Sequence, residues 1–188
     1  MLHVDAFEVG VDEFALVELG LDALPRASLP AKLHILSYLK HLRLEFAFFG
    51  APRSKSDVHD FACLLIAAPF LEKLEFHMVL RCEHPRYTTD QGDLRSLPSE
   101  PHFRLRLVEI TGFYGWKGQL EQALHILRDS VALEAMKIDP IPAPAVVVGS
   151  DFRLLGCTGF TSFSDGYDVA LEFLCGADHR NVVHVAEP

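Results

Sequence analysis

Two stretches of this sequence have the residue types and spacing for chemistry. The first is Gly112-Phe113-Tyr114-Gly115-Trp116-Lys117-Gly118, rich in glycine and directly ahead of a helical pattern. Glycines let a backbone approach an anion closely, and the N–H groups at a helix start attract negative charge. The plainer reading is a turn from strand to helix, with Phe113 or Tyr114 packed into the core. The second stretch is His77, Cys82 and His84, which together with Asp90 or Asp93 would offer four ligands to zinc. Structural zinc favours closely spaced cysteine pairs, and a single cysteine stands here. Phosphate-loop, dinucleotide and nucleophile-elbow motifs are missing; Gly159-Phe160-Thr161-Ser162 matches only the first half of an elbow. The carboxylate neighbours Asp12/Glu13 and Asp57/Asp60 lie in polar segments, where such charges form solvated faces. The expectation is a non-enzymatic chain with no catalytic, cofactor or metal residues. A small α/β enzyme or ligand-binding protein built on Gly112–Gly118 or on His77, Cys82 and His84 is the alternative.

The elements that would carry these residues follow from a repeat. An apolar residue, two others, an apolar residue, one other and an apolar residue recur five times. The copies are Leu16/Leu19/Leu21, Leu39/Leu42/Leu44, Leu71/Leu74/Phe76, Leu105/Val108/Ile110 and Leu133/Met136/Ile138. The last two positions of each copy share one face of a strand, because side chains alternate along extended backbone. The first marks where the chain turns into that strand. Strands are therefore expected near 16–21, 39–46, 71–78, 105–111 and 133–139.

Between the copies lie helical returns. Residues 57–68 space Val58, Phe61, Leu64, Leu65 and Ala68 for one helix face, with Asp57 as cap and Pro69 as stop. Residues 117–129 place Leu120, Ala123, Leu124 and Leu127 on an inner stripe, and Glu121, Gln122, His125 and Arg128 toward solvent. A last unit is expected over 167–185, a helix with Val169, Ala170, Phe173 and Leu174 inward and then a short strand. Segments 23–30, 51–56, 81–101 and 141–151 read as irregular, apart from a Val-Val-Val run that could pair. A unit with one apolar strand face and one apolar helix stripe cannot bury both alone, so copies stack. The expected fold is a single α/β domain over 1–188, a leucine-rich-repeat solenoid. Its parallel sheet lines the concave side, with helices and loops on the convex side.

Composition agrees. A chain of 188 residues that is 49% hydrophobic and 23% charged is neither disordered nor a disulfide scaffold. Its 26 acidic against 17 basic residues give a net charge of -9, which disfavours nucleic acid and anionic membranes as partners. The first residues lack the basic start of a secretory signal. The apolar run at 61–71 is too short to span a bilayer. Cys63, Cys82, Cys157 and Cys175 have no paired spacing, so they read as reduced thiols of a cytoplasmic or nuclear protein, with Cys63 and Cys175 buried. His59, His102, His125 and His184 share no spacing and read as exposed or singly hydrogen-bonded.

From Leu39 to Pro140 the sequence resembles the C-terminal leucine-rich-repeat (FBD-like) region of plant F-box/LRR-repeat proteins. The carrying segments are AAPFLEKLEFHM at 67–78, LRSLPSEPHFRLRLVEITGFYG at 94–115 and QLEQALHILRDSVALEAMKIDP at 119–140. The resemblance implies the substrate-recognition part of a ubiquitin-ligase receptor, binding a protein partner. Nothing before Leu39 looks like an F-box. A cullin-ligase adaptor is then a partner only of a longer form, and the solenoid is expected to be incomplete at its N-terminus. A truncated product without independent function is a further alternative.

On strands so arranged, residues between the buried positions face the concave side. The expected partner-binding residues are His41, Arg43 and Glu45; Lys73, Glu75 and His77; Glu109 and Thr111; Lys137 and Asp139. Their mixed charges suit a protein surface better than a polyanion.

Overall fold

The computed structural model describes residues 14–20, 38–48, 65, 68–80, 85–96, 99, 101–142 and 163–188. The predicted helix over 57–68 (apart from Leu65 and Ala68, both buried), segments 23–30 and 51–56, the Val-Val-Val run, Cys63, Cys82, His84 and Cys157 lie outside the described residues.

Among the described residues six strands form one sheet, and each strand pairs with the next in sequence. They are β1 (Phe14–Gly20), β2 (His41–Phe48), β3 (Lys73–Leu80), β4 (Leu107–Thr111), β5 (Ala135–Asp139) and β6 (Val183–Val185). Every pairing is parallel. Helix α1 (Lys117–Asp129) connects β4 to β5. Helix α2 (Phe163–Val169) runs on into a π-helical segment, Ala170–Cys175, ahead of β6. Among the described residues no helix is long and apolar enough to cross a membrane.

The register follows the repeat. Leu42, Leu74, Val108 and Met136 are partners across four adjacent strands, and Leu44, Phe76, Ile110 and Ile138 form the next row. All eight are buried, and the leading positions Leu39, Leu71, Leu105 and Leu133 are buried beneath the turn into each strand. Leu120, Ala123, Ile126 and Leu127 of α1 and Val169, Ala170 and Leu174 of the last helix complete the same core. Contact of this kind is the main stabilising term for each unit, at about 1.5–3 kcal/mol per buried large aliphatic side chain.

The first unit departs from expectation. Ala15 and Val17, rather than Leu19 and Leu21, stand beside Leu42 and Leu44, so β1 is displaced by four residues. Side-chain alternation does not choose between registers that differ by an even number of residues. An even displacement leaves each residue on its expected face, and Glu18 pairs with Glu45 instead of His41.

The Gly112–Gly118 stretch is a packed turn. Gly112 (φ +67°) lies so close to the Met78 carbonyl that an added Cβ would fall 1.9 Å from its oxygen. Phe113 and Tyr114 are buried. Gln119 ties the turn to the helix: its side-chain oxygen accepts from the Tyr114 N–H at 2.9 Å, and its amide donates to the Gly112 carbonyl at 2.9 Å. Gly166 of α2 closes on the other side, where a Cβ would lie 1.8 Å from the Phe113 oxygen.

Two expectations about exposure are corrected. Glu121, Gln122 and His125 of α1 are buried, not solvated. The loop before β4 folds back across this helix face, and Arg95 meets Glu121 there. Cys175, expected in the core, is exposed at the end of its helix. The inward positions of that helix are filled by Val169, Ala170 and Leu174.

Candidate functional site: the open face of the sheet

The sheet face opposite the core is built by the residues between the buried rows. Three rows cross it. Partners in the first are His41, Lys73, Leu107 and Ala135; in the second Arg43, Glu75, Glu109 and Lys137; in the third Glu45, His77, Thr111 and Asp139. All ten residues expected on this surface thus occupy adjacent register positions. His184 of β6 extends the second row next to Lys137.

Their environments differ. Lys137 is exposed, while His41, Arg43, Lys73, Glu109 and Asp139 are half-buried. Glu75, His77 and Thr111, expected on the surface, are buried. Polar neighbours in adjacent strands cover one another, because partners on one sheet face lie only about 5 Å apart.

Glu75 is the hub of this face. Lys73 donates to Glu75 Oε1. His41 Nε2 stands 3.0 Å from the same oxygen, and His77 Nε2 3.3 Å from Oε2. Arg43 Nη1 is 3.6 Å from Oε2. Burial pushes the carboxyl up. Hydrogen bonds from Lys73 and His77 and the charges of Lys73 and His41 outweigh that and bring it down to about 2. The hub is therefore a carboxylate at neutral pH. Burial also drives His41 below the usual imidazole range, aided by Lys73 and Arg43 and opposed by Glu75.

His77 bridges two strands. A carboxylate only accepts, so Nε2–H donates to Glu75. In the neutral ring Nδ1 then accepts from the Thr111 hydroxyl, 2.8 Å away on β4. Both ring nitrogens are thus engaged. Among the described residues no group of three or more His, Cys, Asp or Glu is placed to hold a metal ion.

The opposite side of the molecule holds a second polar cluster. Arg95 donates to Glu121 from its backbone N–H at 2.8 Å and from its guanidinium at 2.8 and 3.0 Å. Arg128 holds Asp129 at 2.7 Å and donates to Ser96. Arg180 donates to the Leu127 and Ser130 carbonyls where α1 ends, at 2.6 and 2.7 Å. A cation at a helix C-terminus satisfies its last carbonyls and complements the dipole. An open groove of about 770 Å³ lies between these residues, with Leu94, Leu124 and Val131 along its walls. The burial of Glu121 has no local sequence signal, since the residue that covers it lies in a distant loop.

A family model described as At1g61320/AtMIF1, LRR domain, matches residues 25–153. No curated protein and no solved structure matches the chain.

Proposed function

The chain belongs to the At1g61320/AtMIF1 LRR domain family, an α/β leucine-rich-repeat fold, and from that premise we propose that it is a non-enzymatic protein-interaction module. The units stack as a solenoid, and the open sheet face is its concave, partner-binding side. The supporting observation is the row Arg43, Glu75, Glu109 and Lys137, four charged residues in register across four strands. Cations at both ends of the row, with two carboxylates between them, give a partner surface a pattern to match. Such patterns contribute to orientation and to rejection of wrong partners more than to raw affinity.

Within that reading His41, Arg43, Lys73, Glu109, Lys137 and Asp139 touch the partner, while Glu75, His77 and Thr111 hold them in place. Glu45 completes the outer row. The role that fits best is substrate recognition for a ubiquitin ligase of the F-box type, acting in the cytoplasm or nucleus. Adaptor binding then belongs to a longer form that carries an F-box.

The experiment is photo-crosslinking from position 137 in cell extract, repeated with Arg43→Glu and Glu109→Lys. A discrete crosslinked protein, lost in both variants, is expected. Equal crosslinking by wild type and both variants would remove the concave face from the account. Co-purification of that protein with a cullin-ligase adaptor, only when the longer form is expressed, tests the ligase role.

A further inference from the structure

The turns that lead into β3 and β4 carry similar sequences. Ala68-Pro69-Phe70-Leu71 precedes one, and Pro101-His102-Phe103-Arg104-Leu105 the other. Each brings a proline, an exposed phenylalanine and a buried leucine. A cavity of about 280 Å³ lies between the two turns. Its floor is Leu65, Ala68, Leu71 and Leu105, all buried. Pro69, Pro101, Phe103 and Arg104, all exposed, form its mouth.

The walls are fixed. On one side the Leu71 N–H donates to the Ala68 carbonyl at 3.1 Å, and the Ala68 N–H to the Leu65 carbonyl at 3.2 Å. On the other the His102 N–H donates to the Asp129 carbonyl at 2.8 Å. The Arg106 N–H, donating to the Glu72 carbonyl at 2.9 Å, ties the two turns together. Proline at each wall holds its own φ. A site that is already shaped loses little freedom when it is filled.

Arg104 supplies the charge of this site, beside the half-buried His102. Every other arginine among the described residues holds a carboxylate or a carbonyl: Arg43, Arg86, Arg95, Arg106, Arg128 and Arg180 are so engaged. Arg104 instead lies over the Phe70 ring, its guanidinium carbon 4.9 Å from the centre. A ring face attracts the cation without neutralising it, and it leaves the N–H groups at the guanidinium edge for an anion.

The ligand follows from floor, volume and charge. The floor takes an apolar group. Ligand sites run from about 300 to 1,000 Å³, so this one admits a single large side chain. The guanidinium at the mouth calls for a carboxylate. Phe103 is 71% exposed and Phe70 41%. Aromatic and arginine side chains around a pocket are the types that anchor protein partners.

We propose that this cavity takes one leucine- or phenylalanine-sized side chain of a protein partner, with an adjacent carboxylate on Arg104. The carboxylate is that of the partner's chain end or of an acidic residue beside the apolar one. None of the lining residues belongs to the concave rows, so the site does not depend on them.

The test titrates small probes against the full chain and follows backbone amide shifts by NMR. The probes are acetyl-leucine, acetyl-leucine amide, acetyl-Asp-Leu amide and acetyl-Lys-Leu amide, with their phenylalanine counterparts. Shifts centred on 68–71 and 102–105 are expected at millimolar probe. Binding of acetyl-leucine assigns the carboxylate to a chain end, and binding of acetyl-Asp-Leu amide to an internal acidic residue. Arg104→Met, at an exposed position, should lower the affinity at least about tenfold. Ala68→Leu, which fills the floor, should abolish binding, and Arg43→Glu on the concave face should leave it unchanged. No shift at these residues with any acidic probe would overturn the proposal. So would equal binding of the neutral or lysine-bearing amides, or unchanged affinity in Arg104→Met.

Discussion

Two buried glutamates, one on each side of the sheet, are held in different ways. Glu75 on the open face is shared among Lys73, His41, Arg43 and His77, drawn from two adjacent strands. Glu121 on the helical side is held by Arg95, through its backbone and its guanidinium together. The Glu121 side chain is 2% exposed and that of Arg95 49%. Several partial partners leave Glu75 tolerant of losing any one of them. A forked guanidinium on a buried carboxylate fastens a loop to a helix and has no such latitude. The contrast separates a carboxylate shared among several weak partners from one held by a single strong one.

The largest expected effect removes both at once. Gly112 seats the turn after β4 against β3, which carries Glu75, and leads into α1, which carries Glu121. Gly112→Ala forces a methyl into the Met78 carbonyl and is expected to cost more than about 4 kcal/mol in denaturant unfolding. Next comes Arg95→Ala, at about 3 kcal/mol, because it takes the cation from a buried carboxylate. Limited proteolysis near Leu94–Ser96 should accelerate in the same variant. Lys73→Ala, with other cations still around Glu75, is expected to cost less than about 1 kcal/mol. If Lys73→Ala equals Arg95→Ala, the contrast between the two glutamates fails.

Acid should sharpen it further. The folded-state pKa of Glu75 is depressed from 4.5 to about 2, so its contribution is present above 4.5 and is lost as pH falls toward 2. That contribution is at most about 3 kcal/mol. His41 is lowered from 6.5, so the unfolded chain takes up its proton first and a smaller loss begins as pH falls below 6.5. Lys73, Arg43 and His77 face the same carboxylate from β2 and β3, and Glu109 is its register neighbour on β4. Unfolding free energy measured from pH 7 to pH 2 is expected to flatten in its lower portion in Glu75→Gln. Only the small loss just below pH 6.5 should vanish in His41→Gln.

Much of the fold is legible because extended chain with one buried side has a short period. Leu42, Leu74, Val108 and Met136 can be aligned from sequence alone, and they share one row. Alternation does not distinguish registers that differ by an even number of residues, and in β1 the register is displaced by four. It is silent on what covers a helix. Glu121 and His125 have the polarity of solvent-facing positions, and a loop from well before them in the chain buries them. The open face was legible as a set of positions, since alternation alone places its residues. Its burial was not, because Glu75 and Thr111 make their contacts with His41, Arg43, Lys73 and His77, which alternation alone marks as solvent-facing.

The uninterrupted parallel order of the sheet has a kinetic consequence. None of the described strands meets its partner through a hairpin, so each addition closes a long excursion of chain before any contact forms. Topologies of this kind fold slowly, and their half-assembled forms present a strand with nothing beside it. Refolding after a denaturant jump should be slow and should lose yield as protein concentration rises, with β3 and β4, at the middle of the stack, the place where growth in both directions begins.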